Sequence, residues 1–188
     1  MDANEAPAGP ASVGPLGAFV VVAFVEPTAV GVPFGKRHWP LHVTLLRFDA
    51  PRVAALDAVG RAIAFDDAPI PIVVGHDADF GYRGRVRVSL VEPEPRLQAL
   101  HDRIVAEVAG VLDAGVGRIH SPQHTGRGFR PHISIQGERR VHRGDRLILD
   151  NFALVDMAPD GDSSVRVSVA AWGDGAERDG AERGAGGA

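Results

Sequence analysis

Two short segments of this sequence repeat one pattern of side chains: a histidine, an apolar residue, a hydroxyl residue and a second apolar residue. The segments are HVTL at 42–45 and, ninety positions later, HISI at 132–135. In a strand, alternate side chains point to the same face, so each segment places an imidazole and a hydroxyl on one surface and anchors itself in the core with the other. Two imidazoles and two hydroxyls that face each other could perform acid–base chemistry on a phosphodiester.

The duplication is what makes this pattern informative. A single H-x-[ST] match arises readily by chance, but both matches lie in apolar strand contexts and closely follow a proline, Pro40 or Pro131. The alternative is a pair of half-buried histidines at strand starts, each bonded to a neighbouring backbone group. We interpret the pair as a site whose catalytic residues are His42, Thr44, His132 and Ser134.

Composition limits the class of protein. The chain has 188 residues, of which 45% are hydrophobic and none is cysteine. These values predict one globular domain without disulfides or thiolate metal ligands. The longest apolar run, 18–25, is too short to cross a bilayer, and the acidic, Ala/Pro-rich start differs from a signal peptide. We therefore expect a cytoplasmic monomer that has no membrane partner.

The distribution of charge favours an anionic ligand near the two motifs. The net charge of −4 comes from the terminal segments, since residues 17–172 carry 18 basic and 18 acidic side chains. Basic residues cluster beside both motifs, which suits a polyanion, although any single arginine could equally be a solvated surface charge. The residues that we predict to contact substrate are Arg85, Arg87, Arg127, Arg130, His124 and Trp39.

Strands and helices are interspersed along the chain. The predicted strands are 18–25, 42–48, 70–74, 85–91, 131–136, 146–157 and 164–172, of which the last two form a hairpin. One helix is predicted to follow Asp49 as its N-cap, and another to run from Pro95 to Leu112. Several neighbouring strands are joined by short turns, which predicts an α+β fold with largely antiparallel sheet. Residues 1–16 and 173–188 are predicted to be disordered tails around a domain at 17–172, with His76, His101 and His142 on its surface.

The paired motifs, the helix after the first of them and the late strand VRVSV resemble the two-histidine (2H) phosphoesterase superfamily. The bacterial 2′-5′ RNA ligase and cyclic phosphodiesterase branch is the most similar, over residues 17–172. The resemblance implies two pseudo-symmetric lobes of mainly antiparallel sheet, with outer helices, a central cleft and no metal or other cofactor. It implies hydrolysis of a 2′,3′-cyclic phosphate or 2′-5′ phosphodiester in an RNA end or nucleotide, with 2′-5′ ligation as the reverse reaction. By the same analogy, His42 is the general acid and His132 the general base.

Two other functions remain as alternatives. The first is a metal-dependent hydrolase that uses His38, His42, His120 and His124, because each pair has the three-residue spacing of a helical metal site. Pro40 and Pro122 interrupt those pairs, however, and neither pair carries the glutamate of a zincin. The second is a non-catalytic RNA- or nucleotide-binding module, for which we would expect a larger basic excess and more aromatic strand residues.

Overall fold

The described part of the chain contains ten strands and two α-helices, together with short 3₁₀ helices. The computed structural model describes residues 14–26, 28–36, 38–63, 69–112 and 117–173. Apart from 14–16 and 173, the predicted disordered tails lie outside the described residues, and Leu16 already belongs to the first strand. The elements are β1 (Leu16–Phe24), β2 (Pro33–Gly35), β3 (His42–Pro51), α1 (Arg52–Ala62), β4 (Ile70–Phe80), β5 (Val86–Val91), α2 (Pro95–Leu112), β6 (Arg118–Ile119), β7 (His132–Ser134), β8 (Arg146–Leu149), β9 (Asn151–Asp156) and β10 (Val165–Trp172).

All strand pairings are antiparallel, which confirms the predicted α+β class. The strand order is β2-β10-β9-β1-β3-β7-β5-β4-β8, and the short β6 pairs with β3. The two motif strands, β3 and β7, are therefore neighbours in the middle of the sheet. They are joined where Val43 lies opposite Ile133. Each motif strand is thus the inner edge of one half of the sheet, and the two motifs meet at the junction.

The helices cover one face of the sheet and leave the other face to the histidines. Leu97, Leu100, Ile104 and Val108 of α2 are buried in a large core that includes Phe19 from β1. A smaller apolar cluster lies on the opposite face of β1 and β9, and contains Val20, Val22, Phe24, Ala153 and Val155. Because β1 is buried on both faces, it reads as a continuous apolar run. None of the described helices is long and apolar enough to span a membrane.

The prediction for the second helix is confirmed, since α2 runs from Pro95 to Leu112. The predicted N-cap of the first helix is wrong, because β3 continues to Pro51 and the carboxylate of Asp49 instead accepts hydrogen bonds from Arg118 and His120. The predicted strand 146–157 is interrupted at Asp150. Its first part, β8, pairs with β4, and its second part, β9, pairs with β1 and β10. The chain therefore passes from one half of the sheet to the other at this point.

Candidate active site

The register between β3 and β7 brings the two motifs together. Val43 lies opposite Ile133 in an antiparallel pair, so His42 lies opposite Ser134 and Thr44 opposite His132. Residues directly opposite share a face, and diagonal neighbours lie about 7–8 Å apart. Val43 and Ile133 are buried beneath the sheet, as predicted. The imidazoles and hydroxyls of both motifs therefore occupy one patch on the opposite face, at a separation that a single phosphate group can bridge.

Both imidazoles are held in the same way by the backbone. Nδ1–H of His42 donates to the carbonyl oxygen of Pro40 at 2.7 Å, and Nδ1–H of His132 donates to that of Arg130 at 2.8 Å. A carbonyl oxygen can only accept, so Nδ1 carries the proton in each ring. This arrangement leaves Nε2 of both histidines available to exchange a proton with a ligand.

Aromatic rings fix the orientation of the two imidazoles. The ring centroid of His42 lies 4.7 Å from that of Trp39 and 6.1 Å from that of Phe24. On the other motif, the ring of Phe80 lies 4.7 Å from that of His132. Trp39, a predicted substrate contact, therefore also supports a catalytic candidate, and Phe80 has the corresponding position in the second half of the sheet.

The surroundings of both histidines favour their neutral forms. Burial lowers the pKa of His42, and the charge of nearby His132 lowers it further, against the opposing effect of the Pro40 hydrogen bond. Burial also lowers the pKa of His132, with additional lowering by Arg130 and His124. The effect of His132 on His42 follows from the proximity of the two rings at the β3–β7 junction.

Removing one imidazole should therefore change the titration of the other. In a His132→Ala variant, we expect the pKa of His42 to rise, because the repulsive positive charge of His132 has been removed. Side-chain NMR titration measures this shift directly. His124→Ala is the matched control, since His124 acts on His132, and it should raise the pKa of His132 instead. An unchanged pKa of His42 in His132→Ala would show that the two rings do not interact.

A cleft of about 490 Å³ lies against the paired motifs. Thr44 and His132 form part of its wall, whereas His42 and Ser134 stand beside it on the same face of the sheet. Most of the opposite wall is the loop that leads into β7. The other polar and aromatic residues of the lining are Arg47, Asp79, Phe80, His101, His120, Ser121, His124, Thr125, Phe129 and Arg130.

A β-bulge in β3 explains why Arg47 was absent from the predicted site. Thr44 lies opposite Val22, but Leu46 lies opposite Val21, so Leu45 is an extra residue. Leu45 and Leu46 are consequently both buried in the core beneath the helices. After the bulge, Arg47 and Asp49 return to the face that carries the histidines. Strict alternation from His42 would have placed Arg47 on the other face, and no local pattern in the sequence marks the bulge.

The arginines predicted to contact substrate separate into two groups. Arg130 lines the cleft, and its guanidinium lies 4.9 Å from the ring centroid of Phe80. In β5, Val88 and Leu90 lie opposite Ser134 and His132 and therefore share the face of the histidines. Arg87 consequently lies on the helix-covered face, where it forms a 3.5 Å ion pair with Asp77.

The other two arginines predicted to contact substrate, Arg85 and Arg127, also lie away from the cleft wall. Arg85 precedes β5 and lies 5.9 Å from the ring of Tyr82, and Arg127 is an exposed loop residue. For Arg85, Arg87 and Arg127, the structure therefore does not support the predicted contact. Apolar and polar residues of β5 do not divide into a buried and an exposed set, because Ser89 is buried and donates to Asp77 while Val86 is 44% exposed.

The geometry gives no support to the alternative of a metal-dependent hydrolase. Within the described residues, no three His, Asp or Glu side chains form a group that could hold a metal ion. His120 instead contacts the carboxylate of Asp49 at 2.9 Å, and His124 lies near His132. His38 is exposed on the loop before β3.

The prediction that His101 is a surface residue is wrong. His101 is only 1% exposed and stacks on Phe129, with ring centroids 3.9 Å apart and planes 2° from parallel. Its Nδ1–H donates to the Leu45 carbonyl oxygen at 2.8 Å, and its Nε2 accepts from the Gly126 amide at 3.2 Å. It therefore connects the first motif strand to the loop that precedes the second. The signal was in the sequence, since 97, 101, 104 and 108 form one helical stripe.

Comparison with known proteins agrees with this architecture. The sequence matches the family model of the 2′-5′ RNA ligase superfamily over residues 29–148. Escherichia coli LigT, crystallised with 3′-AMP, has a TM-score of 0.52 and 13% identity, and the match covers 85% of this chain and 98% of that one. A crystal structure described as a phosphoesterase has a TM-score of 0.48 and 13% identity over 86% of this chain and 98% of that one. None of the curated proteins matches the sequence. The chain belongs to the 2′-5′ RNA ligase superfamily, one of the 2H phosphoesterase families.

Proposed function

We propose that this chain is a metal-independent phosphoesterase that opens 2′,3′-cyclic phosphates, or cleaves 2′-5′ phosphodiesters, in RNA ends or nucleotides. The observation that carries the proposal is the matched pair of imidazoles. Both donate Nδ1–H to the backbone carbonyl two residues earlier, and both stand on one face at the β3–β7 junction. A single phosphate would then meet two Nε2 atoms and two hydroxyls.

The reaction needs one neutral and one protonated imidazole. Nε2 of the neutral histidine takes a proton from water as the water oxygen forms a bond to phosphorus. The bond from phosphorus to one ribose oxygen breaks, and Nε2–H of the protonated histidine gives its proton to that oxygen. One water is consumed and a phosphomonoester is formed. When the 5′-hydroxyl of a second nucleotide replaces water, the same two proton transfers form a 2′-5′ phosphodiester. The bond from phosphorus to the 3′-oxygen of the cyclic phosphate breaks, that oxygen takes the proton and no water is consumed, which is the route to 2′-5′ ligation.

Several other groups are placed to stabilise the negative charge of the phosphate. The hydroxyls of Thr44 and Ser134 lie directly opposite the two imidazoles and can donate to the non-bridging oxygens as charge develops. Arg130 adds a positive charge at the cleft wall. The bound anion also opposes the effect of burial, because it favours the protonated form of whichever histidine acts as the acid.

A nucleotide is the favoured class of substrate. LigT was crystallised with 3′-AMP, and its fold is similar to that of this chain. Trp39 and Phe80 flank the paired histidines and offer flat surfaces beside the phosphate site. That the protein acts as a cytoplasmic monomer stays a prediction from the sequence.

Hydrolysis of adenosine 2′,3′-cyclic phosphate by the full chain tests the proposal. We expect a phosphomonoester product, followed by chromatography, at a rate that EDTA does not change. We also expect kcat/KM to be largest below pH 6.5, because this parameter reports the free enzyme and the pKa values of both histidines are lowered from 6.5. At higher pH both rings are neutral and the acid is lost, and at much lower pH both are protonated and the base is lost. Binding without turnover would indicate the non-catalytic alternative, and inhibition by EDTA would indicate a metal-dependent hydrolase.

A further inference from the structure

Arg166 in β10 is a buried arginine without a carboxylate partner in the described part of the chain. The residue is 5% exposed, and its Nη1 donates to the carbonyl oxygens of Ser163 and Val165 at 2.9 and 2.7 Å. Its Nε is buried and has no hydrogen-bond partner. No described Asp or Glu lies within ion-pair distance of the guanidinium. A buried guanidinium without a carboxylate partner is energetically unfavourable, and its unpaired Nε donor adds to that cost.

The carboxylates nearest to this arginine are already engaged. Asp156 forms a 3.6 Å ion pair with Arg52 and accepts a hydrogen bond from the Ala158 amide. Asp162 accepts hydrogen bonds from the amide and the hydroxyl of Ser164. Both still favour the charged form of Arg166 from a distance, but neither supplies the direct partner that its Nε lacks.

The register of four strands places Arg166 on the same face as the catalytic candidates. Arg47 of β3 lies opposite Val20 of β1, Val20 lies opposite Val155 of β9, and Val155 lies opposite Ser168 of β10. Arg166 is two residues before Ser168 and therefore shares its face. The hydroxyl of Ser168 is also buried without a hydrogen-bond partner. This part of the histidine face thus combines unsatisfied donors with two arginines.

Arg47 is the exposed member of this group. It lines the cleft together with Thr44 and His132, and none of the described acidic side chains forms an ion pair with it. Its charge acts on Arg166, whose pKa is lowered mainly by burial and further by Arg47. Two arginines that repel each other and have no direct carboxylate partner are stabilised by an anion that contacts both.

We propose that Arg47 and Arg166 form a second anion subsite, which takes a phosphate of the substrate other than the one between the histidines. This inference rests on the proposed function, from which it takes the class of substrate: a nucleotide or RNA end with at least two phosphates. Arg47 follows His42 by five residues, one of them the bulged Leu45, so their Cα atoms are about 13 Å apart along β3. The side chains of His42 and Arg47 cover part of this distance, so the two phosphates that they contact would lie closer together than the Cα atoms. That separation suits two phosphates joined by one nucleoside. The forked donors of arginine match phosphate oxygens.

Calorimetric titration of the full chain with two nucleotides tests the subsite without requiring turnover. The probes are adenosine 3′-monophosphate and adenosine 3′,5′-bisphosphate, which differ by one phosphate, at pH 7 and low salt. We expect the wild-type chain to bind the bisphosphate at least 10-fold more tightly than the monophosphate. In Arg47→Gln this affinity ratio should fall to nearly 1, and Arg166→Lys, which keeps the charge but loses the fork, should also reduce it.

Arg52→Gln is the matched control, because Arg52 lies in the same half of the molecule on α1 and pairs with Asp156. It should preserve the wild-type affinity ratio. Equal affinities for the two nucleotides in the wild type, or an unchanged ratio in Arg47→Gln, would overturn the subsite. If the ratio behaves as expected but 2′,3′-cyclic phosphate is not hydrolysed, the subsite stands and the proposed function fails. If the affinity ratio does not behave as expected but the 2′,3′-cyclic phosphate is hydrolysed, the subsite is overturned and the proposed function stands.

Discussion

Replacing either His42 or His132 by alanine should lower kcat for a 2′,3′-cyclic phosphate by about 10²–10⁴-fold, because each change removes one of the two proton-transfer groups. The double variant should be little slower than the slower single variant, since an acid and a base that act in one step do not contribute additively. Single-turnover and steady-state rates measured near the pH optimum give both comparisons. The effect should fall on kcat more than on the affinity for a product nucleotide, which the cleft wall and both hydroxyls still bind.

His142→Ala provides a matched control, because His142 is exposed and does not line the cleft. It should retain wild-type kcat and KM. Thermal unfolding of each variant distinguishes loss of chemistry from loss of fold. Near-wild-type turnover by folded His42→Ala or His132→Ala would refute the role assigned to the pair.

Replacing His101 by alanine should lower the free energy of unfolding by about 2–5 kcal/mol, because it breaks a buried, packed hydrogen-bond network and leaves two groups without a partner. The variant loses the stack on Phe129 and leaves the Leu45 carbonyl and the Gly126 amide without their partner. Each unsatisfied buried group costs roughly 1–3 kcal/mol. Urea unfolding at pH 7 measures the loss, and exposed His142→Ala should change stability by no more than about 0.5 kcal/mol.

The stability lost in His101→Ala should also shrink as the pH falls. Burial lowers the pKa of His101 in the folded state below its ordinary value of 6.5. Between these two pKa values the unfolded chain binds a proton that the folded chain does not, so acid favours unfolding of the wild type. The alanine variant lacks this group, and the two unfolding free energies should converge below pH 6.5. An equal difference at pH 7 and pH 5 would mean that the pKa of His101 is the same in the folded and the unfolded chain.

The local pattern of residues was sufficient to predict the candidate side chains of the site and one of the helices that support it. Alternation in HVTL and HISI separates imidazole and hydroxyl from the buried anchors Val43 and Ile133, and this depends only on strand geometry. The bounds of α2 follow in the same way from its apolar stripe. Such features depend on neighbours within a few residues, so the sequence contains all the information they need.

Pairing between distant strands decided the rest. The junction that sets Val43 against Ile133 joins residues ninety positions apart, and no short segment specifies that register. The bulge at Leu45, which turns Arg47 towards the histidines, depends on how β3 fits against β1. The burial of Arg166 depends on β10 packing beside β9, and that of His101 on the loop that stacks Phe129 against it. The sequence by itself therefore determined which side chains could do the chemistry, whereas the tertiary structure decided which of them meet, because burial and strand register are set by contacts between segments far apart in the chain.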